Sequence, residues 1–331
     1  MSNNSLFSDT IPKRKGGVEL ANSSTLGHDP PVNDPLYRLQ EPYLEFAGIP
    51  AAWKRLASAA GKRERVTVAL IDTGVQPDHL DLVQNLIEGY DVIKHTTATP
   101  DRQGHGTMMA GVLGATINNT IGIAGVMDLV NIMPISLEGI LRDELEADSV
   151  DYTIRNKDTK GIKIILMAIS DTAMRPKLTG MIKEAVAAGL LVIVTAGNQG
   201  EGITENKRYP CALTEHLPGI LCVTATENTQ MRLTHFSNYG DYVDIAAPGS
   251  DIESTCISNL YNNVHGTSPA AAIVAGVAAM LYSINPTLTP VAVKGILKDT
   301  SKKGIKLQDS EFTLPFGLVD ADAAVAKVLS R

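Results

Sequence analysis

At 331 residues the chain has room for one large domain or two ordinary ones, with a substantial buried core. Apolar residues at 44% against 20% charged exclude a disordered or fibrous chain. A net charge of −7 argues against nucleic acid as a partner. The longest apolar run, residues 270–281, is too short and too rich in Ala and Gly to predict a membrane span.

Residues 1–33 are polar, rich in Asn, Ser, Gly and Pro, with a basic "KRK" at 13–15, and are expected to form a disordered or processed tail. The opening "MSNNSLFSDTIPKRKGG" has no apolar signal core. The expectation is either a cytoplasmic chain or one that begins after a signal and propeptide. From residue 34 to 331 a single domain is predicted. The runs "RVTVALI" (65–71), "IKIILMAI" (162–169), "LLVIVTA" (190–196) and "GILCVTA" (219–225) are apolar, rich in β-branched residues and bounded by turn formers. Helical patterns such as "TGMIKEAVAAG" (179–189) lie between them. Strands without polar alternation, separated by helices, predict an α/β domain with a largely parallel sheet covered by helices on both faces.

Ligands gather at the carboxyl ends of strands in such sheets. The first strand runs into "VALIDTGVQPDHLDL", where Asp72 is either a turn cap or an acid. "RQGHGTMMAG" places His105 between glycines at the start of an apolar helix, for packing or for chemistry. "VIVTAGNQG" ends a buried strand at Asn198, by itself an ordinary turn residue. "HGTSPAAAIVAG" puts Ser268 before a proline and a buried apolar helix, so it reads locally as a helix cap or as a nucleophile. Taken together, Ser268 has a base in His105, a carboxylate in Asp72 to orient that base, and an amide donor in Asn198 for an oxyanion.

Three cysteines fit either three buried thiols or one bridge with one left over. "YPCALTEHLPGILCV" sets Cys211 and Cys222 on either side of a turn, and a bridge between them with Cys256 outside it is expected. Such a bridge implies an oxidising compartment.

The ordered motifs "IDTGVQPDHLDL", "GHGTMMAG", "VTAGNQG" and "HGTSPAAAIVAG" resemble those of the subtilisin-like serine proteases, the subtilases. "NNTIGIAGV", "YPC", "FSNYGDYVDIAAPG" and "FGLVDADAAV" extend the resemblance over residues 33–327. It implies a serine endopeptidase acting on polypeptides through an acyl-enzyme, with Asp72, His105 and Ser268 as triad. The backbone N–H of Ser268 and the side chain of Asn198 would form the oxyanion hole. Substrate would lie along Ala168, Ile169, Ser170 and Asp171. A structural Ca²⁺ is implied on Asp81, Asn119 and the carbonyls of Ile117, Ile121 and Ile123, with Gln40 as a further ligand. A monomer is expected, secreted or within a secretory compartment, with an inhibitory propeptide as a further partner absent from this chain; a cytoplasmic location is the alternative.

Two departures stand out. Pro269 follows the serine directly, and Ala272 stands where the family has proline. The substrate-lining segment reads Ala-Ile-Ser-Asp in place of Ser-Leu-Gly-Gly, which should narrow the cleft or change its charge. The functional alternatives are a pseudoprotease that binds peptides without cutting them and an ester hydrolase, although "GTSPA" lacks the Gly-x-Ser-x-Gly elbow. The acidic stretch "LRDELEADSVD" (141–151), with Glu146 and Asp148, together with Asp171 would favour basic substrate side chains if it faces the cleft.

Overall fold

The apolar runs form a seven-stranded sheet in the order β3-β4-β2-β5-β6-β7-β8, parallel throughout. Its strands are β2 (Val66–Asp72), β3 (Tyr90–Asp91), β4 (Val130–Ser136), β5 (Ile162–Met167), β6 (Leu191–Thr195), β7 (Ile220–Thr226) and β8 (Ile245–Pro248). The structure is a computed structural model and describes residues 14–15, 29–59 and 61–330. Every residue of β2, β6 and β7 is buried, as continuous apolar strands covered on both faces must be.

Two cores account for the two covered faces. One packs α1 (Tyr37–Phe46), α2 (Ile49–Ser58), α3 (His105–Gly114), α6 (Thr267–Ile284), α7 (Pro290–Thr300) and α8 (Ala321–Leu329) against the sheet. The other packs α4 (Asp143–Asn156) and α5 (Pro176–Ala187) against the opposite face. Helix α6 is apolar on nearly every side and lies against five strands and α3, which removes its surface from water. Its 18 residues extend beyond the 270–281 run. Among the described residues it is the one helix long and apolar enough to cross a membrane, and it is 94% buried inside the fold.

A smaller antiparallel sheet, in the order β1-β10-β9, stands on the α3 side. β9 (Ile252–Cys256) and β10 (Leu260–Val264) form a hairpin, and β1 (Arg14–Lys15) adds to the outer edge of β10. The tail expected over 1–33 therefore supplies a strand at 14–15; residues 1–13 and 16–28 lie outside the described residues. Cys211 and Cys222 form the expected disulfide, with Cα atoms 5.1 Å apart, tying a 3₁₀ turn at Cys211–Glu215 to β7. Cys256 is buried and outside the bridge.

The chain enters the sheet at β2, moves to one side through β3 and β4, then returns to β5 on the other side of β2. This reversal opens a crevice beyond the carboxyl ends of β2 and β5, where ligands of open α/β sheets bind.

Candidate active site

Asp72 is the last residue of β2 and is buried. Its carboxylate takes the Nδ1 of His105 at 2.7 and 2.8 Å from its two oxygens, and Oδ1 also accepts the N–H of Thr73 at 2.7 Å. His105 opens α3, behind a left-handed Gly104 (φ 96°). Helix α3 can start this close because residue 106 is glycine: a Cβ there would collide with the carbonyl of Gly74. Burial pulls the His105 pKa down, but the charge and hydrogen bond of Asp72, with Asp101 behind, outweigh it, and the net shift is upward.

The motif reading did not single out Asp101, yet it builds this corner. Its Oδ1 accepts from the Thr73 hydroxyl and from the N–H groups of Gln103 and Gly104; its Oδ2 accepts from the N–H and hydroxyl of Thr107. Thr73 Oγ1 in turn accepts the N–H of Gly106 at 2.9 Å. The loop before α3 is thus tied to the turn after β2.

Ser268 is the second residue of α6, and Gly266 is the cap, so the local reading of Ser268 as a helix cap is overturned. Its hydroxyl is partly exposed and takes no hydrogen bond among the described residues. The first four N–H groups of an α-helix lack intrahelical partners. Here Thr267 N donates to Asn198 Oδ1 at 2.9 Å, Pro269 has no N–H, and Ser268 N has no acceptor among the described residues. Pro269 therefore sits where a missing donor costs nothing.

Thr267 also donates its hydroxyl to Asn198 Oδ1 at 2.9 Å. With the amide oxygen held from two sides, Asn198 Nδ2 is turned toward Gly266, beside the start of α6. The loop after β6 is held by a second residue that the motif reading missed. Buried Asn238 accepts from Gln199 N and Glu201 N, donates to Ala196 O at 2.9 Å, and gives its own N–H to Gly197 O. It lay within the quoted stretch "FSNYGDYVDIAAPG", but its spacing from Asn198 carries no local signal.

The segment 168–171 continues from β5. Ser170 donates its hydroxyl to Ala196 O at 3.2 Å and packs beside Gly197, while its backbone N–H and C=O have no partner among the described residues. That leaves an open edge for an added strand. Asp171 exchanges backbone hydrogen bonds with Tyr209, at 2.9 and 2.7 Å. Of the acids that would favour basic substrate side chains if they faced the cleft, Asp171 and Glu146 already share an internal cation. Arg175 donates to both Asp171 and Glu146, one nitrogen to each. Burial pushes the Asp171 carboxyl up, but the Arg175 hydrogen bond and charge, with backbone donors, bring it below its ordinary value. Asp148 is exposed, and Asp143 is spent on the N–H groups of Lys177 and Leu178, where it joins α4 to α5.

The sequence model of the subtilase family matches residues 63–318. Thermitase of Thermoactinomyces vulgaris is 31% identical over 254 residues, spanning 76% of this chain and 85% of that protein. Subtilisin DY of Bacillus licheniformis is 30% identical, spanning 84% and 97%. A protease structure from Pseudoalteromonas arctica PAMC 21717 superposes with a TM-score of 0.77 at 27% identity, covering 90% of this chain and all of that one. The chain belongs to the subtilase family. It is a serine endopeptidase with the subtilisin-like α/β fold, as the motifs predict, and nothing positively favours the peptide-binding alternative.

The residues for which the subtilase resemblance implied calcium form a loop packed against Asp81. Positive φ recurs at Asn118 (61°), Thr120 (65°) and Gly122 (52°), so alternate peptide units turn over. The carbonyls of Ile117, Ile121 and Ile123 take no hydrogen bond from the described residues. Asp81 is fully buried and forms no ion pair among them. It accepts from Asn119 Nδ2 at 2.8 Å, Ile123 N at 3.0 Å and Tyr261 Oη at 3.2 Å, and burial pushes its carboxyl up to about 7. Among the described residues no three His, Cys, Asp or Glu side chains gather as a metal cluster. One carboxylate and three carbonyls nonetheless offer oxygens to a hard cation, and Asn119 would add its own by turning its amide, whose Oδ1 accepts Ile121 N at 2.8 Å while Nδ2 faces Asp81. Gln40 does not belong to it: its Oε1 accepts from Ala124 N and its Nε2 donates to Ala124 O, both at 2.8 Å.

Proposed function

We propose that Ser268 is the nucleophile of this endopeptidase, His105 its general base and Asp72 the carboxylate that orients and charges the base. Asp72 receives Nδ1, which assigns the Nδ1–H tautomer and leaves Nε2 to take the serine proton. Ser268 Oγ then bonds to the scissile carbonyl carbon, and the carbonyl oxygen becomes an oxyanion. The unclaimed N–H of Ser268 and Asn198 Nδ2 are the donors for that charge, helped by the positive end of α6. Collapse breaks the C–N bond, and His105 returns its proton to the leaving amine. Water, deprotonated by the same imidazole, hydrolyses the acyl-enzyme. The contact that carries this reading is the paired approach of His105 Nδ1 to both oxygens of Asp72 at the switch point of the sheet.

Residues 34–331 act as one peptidase domain on extended polypeptides laid against 168–171. The Cys211–Cys222 bridge supports work in an oxidising, secretory setting. A Ca²⁺ bound by Asp81, Asn119 and the carbonyls of Ile117, Ile121 and Ile123 would neutralise the buried carboxylate and bind the 117–123 loop to the turn after β2.

A fluorophosphonate label followed by digestion of unfolded casein tests the chemistry. Labelling at Ser268 with casein cleavage is expected, and Ser268→Ala should abolish both. Asn198→Ala should fold normally and turn over roughly 10²–10³-fold more slowly. Full turnover by that variant would remove Asn198 from the oxyanion hole, and labelling without casein cleavage would favour an ester hydrolase.

A further inference from the structure

A small cavity lies under the substrate-lining segment, walled by Ile169, Asp171, Leu178, Tyr209 and Glu146 and roofed by Arg175. Its free volume is about 10 Å³, room for about one water. Glu146 comes from α4, is completely buried, and one of its oxygens, Oε1, has no hydrogen-bond partner. The other accepts from Arg175 Nη1, while Arg175 Nη2 reaches Asp171. Two carboxylates thus face one guanidinium. A buried carboxylate with half of its acceptor capacity unused is costly unless a cation stays beside it.

Arg175 is the residue that caps α5 and lies outside its helical turns. It precedes α5 in extended conformation, after the exposed residues Thr172, Ala173 and Met174, so its side chain can leave the cavity without breaking a helix. It approaches from the chain itself, and a peptide added as a strand to 168–171 approaches the same wall from the cleft. Side chains of an added strand alternate in direction, so one of them can point at this cavity.

We propose that Arg175 is a specificity-determining residue: an internal guanidinium that fills an acidic subsite under the substrate-binding edge and withholds it from basic substrate side chains. The inference rests on the endopeptidase reading of the cleft. With Arg175 in place, a substrate Lys or Arg at this subsite must evict an equivalent group and gains nothing. With Arg175 shortened, the same substrate side chain supplies the cation that Glu146 lacks.

The test is peptide-library profiling of the wild-type chain, Arg175→Ala, Arg175→Gln and the double variant Glu146→Gln/Arg175→Ala. Arg175→Gln retains a donor for Glu146 but no charge, so it reports even if the alanine variant folds poorly. The wild type is expected to show no Lys or Arg enrichment at the subsite. Arg175→Ala and Arg175→Gln should gain an enrichment of about tenfold or more there, and the double variant should lose it. Unchanged profiles in cleaving Arg175 variants, an enrichment that survives Glu146→Gln, or a wild type already selecting basic residues at that position would overturn the proposal while leaving the protease reading intact. Absence of casein cleavage by every form would overturn both.

Discussion

His105 is pulled in two directions, and the balance sets where the enzyme works. Burial disfavours the imidazolium, whereas Asp72 and the more distant Asp101 favour it, and the carboxylates win. A raised folded pKa stabilises the folded chain at pH below the ordinary histidine value of about 6.5, and that contribution fades as pH rises through the folded value. Under the proposed mechanism activity runs the opposite way, because only neutral His105 accepts the serine proton. The acid limb of the kcat/KM profile is therefore expected above 6.5, and Asp101→Asn should move it lower. A wild-type limb below 6.5 would contradict the assignment of His105. Asp72, His105, Asn198 and Ser268 could be read from the sequence because each sits in a short motif at a strand or helix end. Asp101, Asn238 and Arg175 could not, because no short motif or periodic pattern marks any of the three. Asp101 lies in a loop with no periodicity, and Asn238 reaches back some 40 residues to the loop after β6. Arg175 looks like any surface arginine until the fold sets Glu146 beside it.

At the scale of elements, four strands of the large sheet, β2, β5, β6 and β7, fall within one or two residues of their apolar runs, since complete burial demands an uninterrupted apolar sequence, whereas β3, β4 and β8 are not among those runs. The small sheet escaped notice for the converse reason. β9 reads "IESTC" and β10 "LYNNV", and their polar residues are matched inside the fold rather than by alternation. Thr255 donates to Thr107 O at 2.7 Å, which joins β9 to the start of α3 close to His105. The disulfide was within reach because it is local. It ties a 3₁₀ turn to a central strand over a separation of 11 residues, a loop for which the chain-entropy account gives about 3 kcal/mol. In denaturant without reductant, alkylation followed by intact mass should show one modified cysteine, Cys256, and three after reduction. Three modified cysteines without reductant would refute the bridge.

For the molecule as a whole, the order of strands explains why chemistry gathers where it does, and the loop beyond α3 explains how that end is held. Asp81 stands nine residues past Asp72 on the turn that leaves β2, buried and answered only by neutral donors. The 117–123 loop closes over it with three carbonyls that take no hydrogen bond from the described residues, one of them on fully buried Ile123. A cation bound only in the folded state stabilises by mass action, by about 2.7 kcal/mol when its free concentration is 100 times Kd. Melting in millimolar Ca²⁺ should therefore occur at a higher temperature than in EDTA, and Asp81→Ala should remove most of that difference. Gln40→Ala supplies the discriminating control. Gln40 spends both ends of its amide on Ala124, so its loss should lower the melting temperature in both buffers and leave the gap between them. Identical curves in calcium and EDTA, with no metal found by elemental analysis, would sink the site. A gap that closes in Gln40→Ala would restore that residue to the ligand set and displace the hydrogen-bonding role assigned to it here.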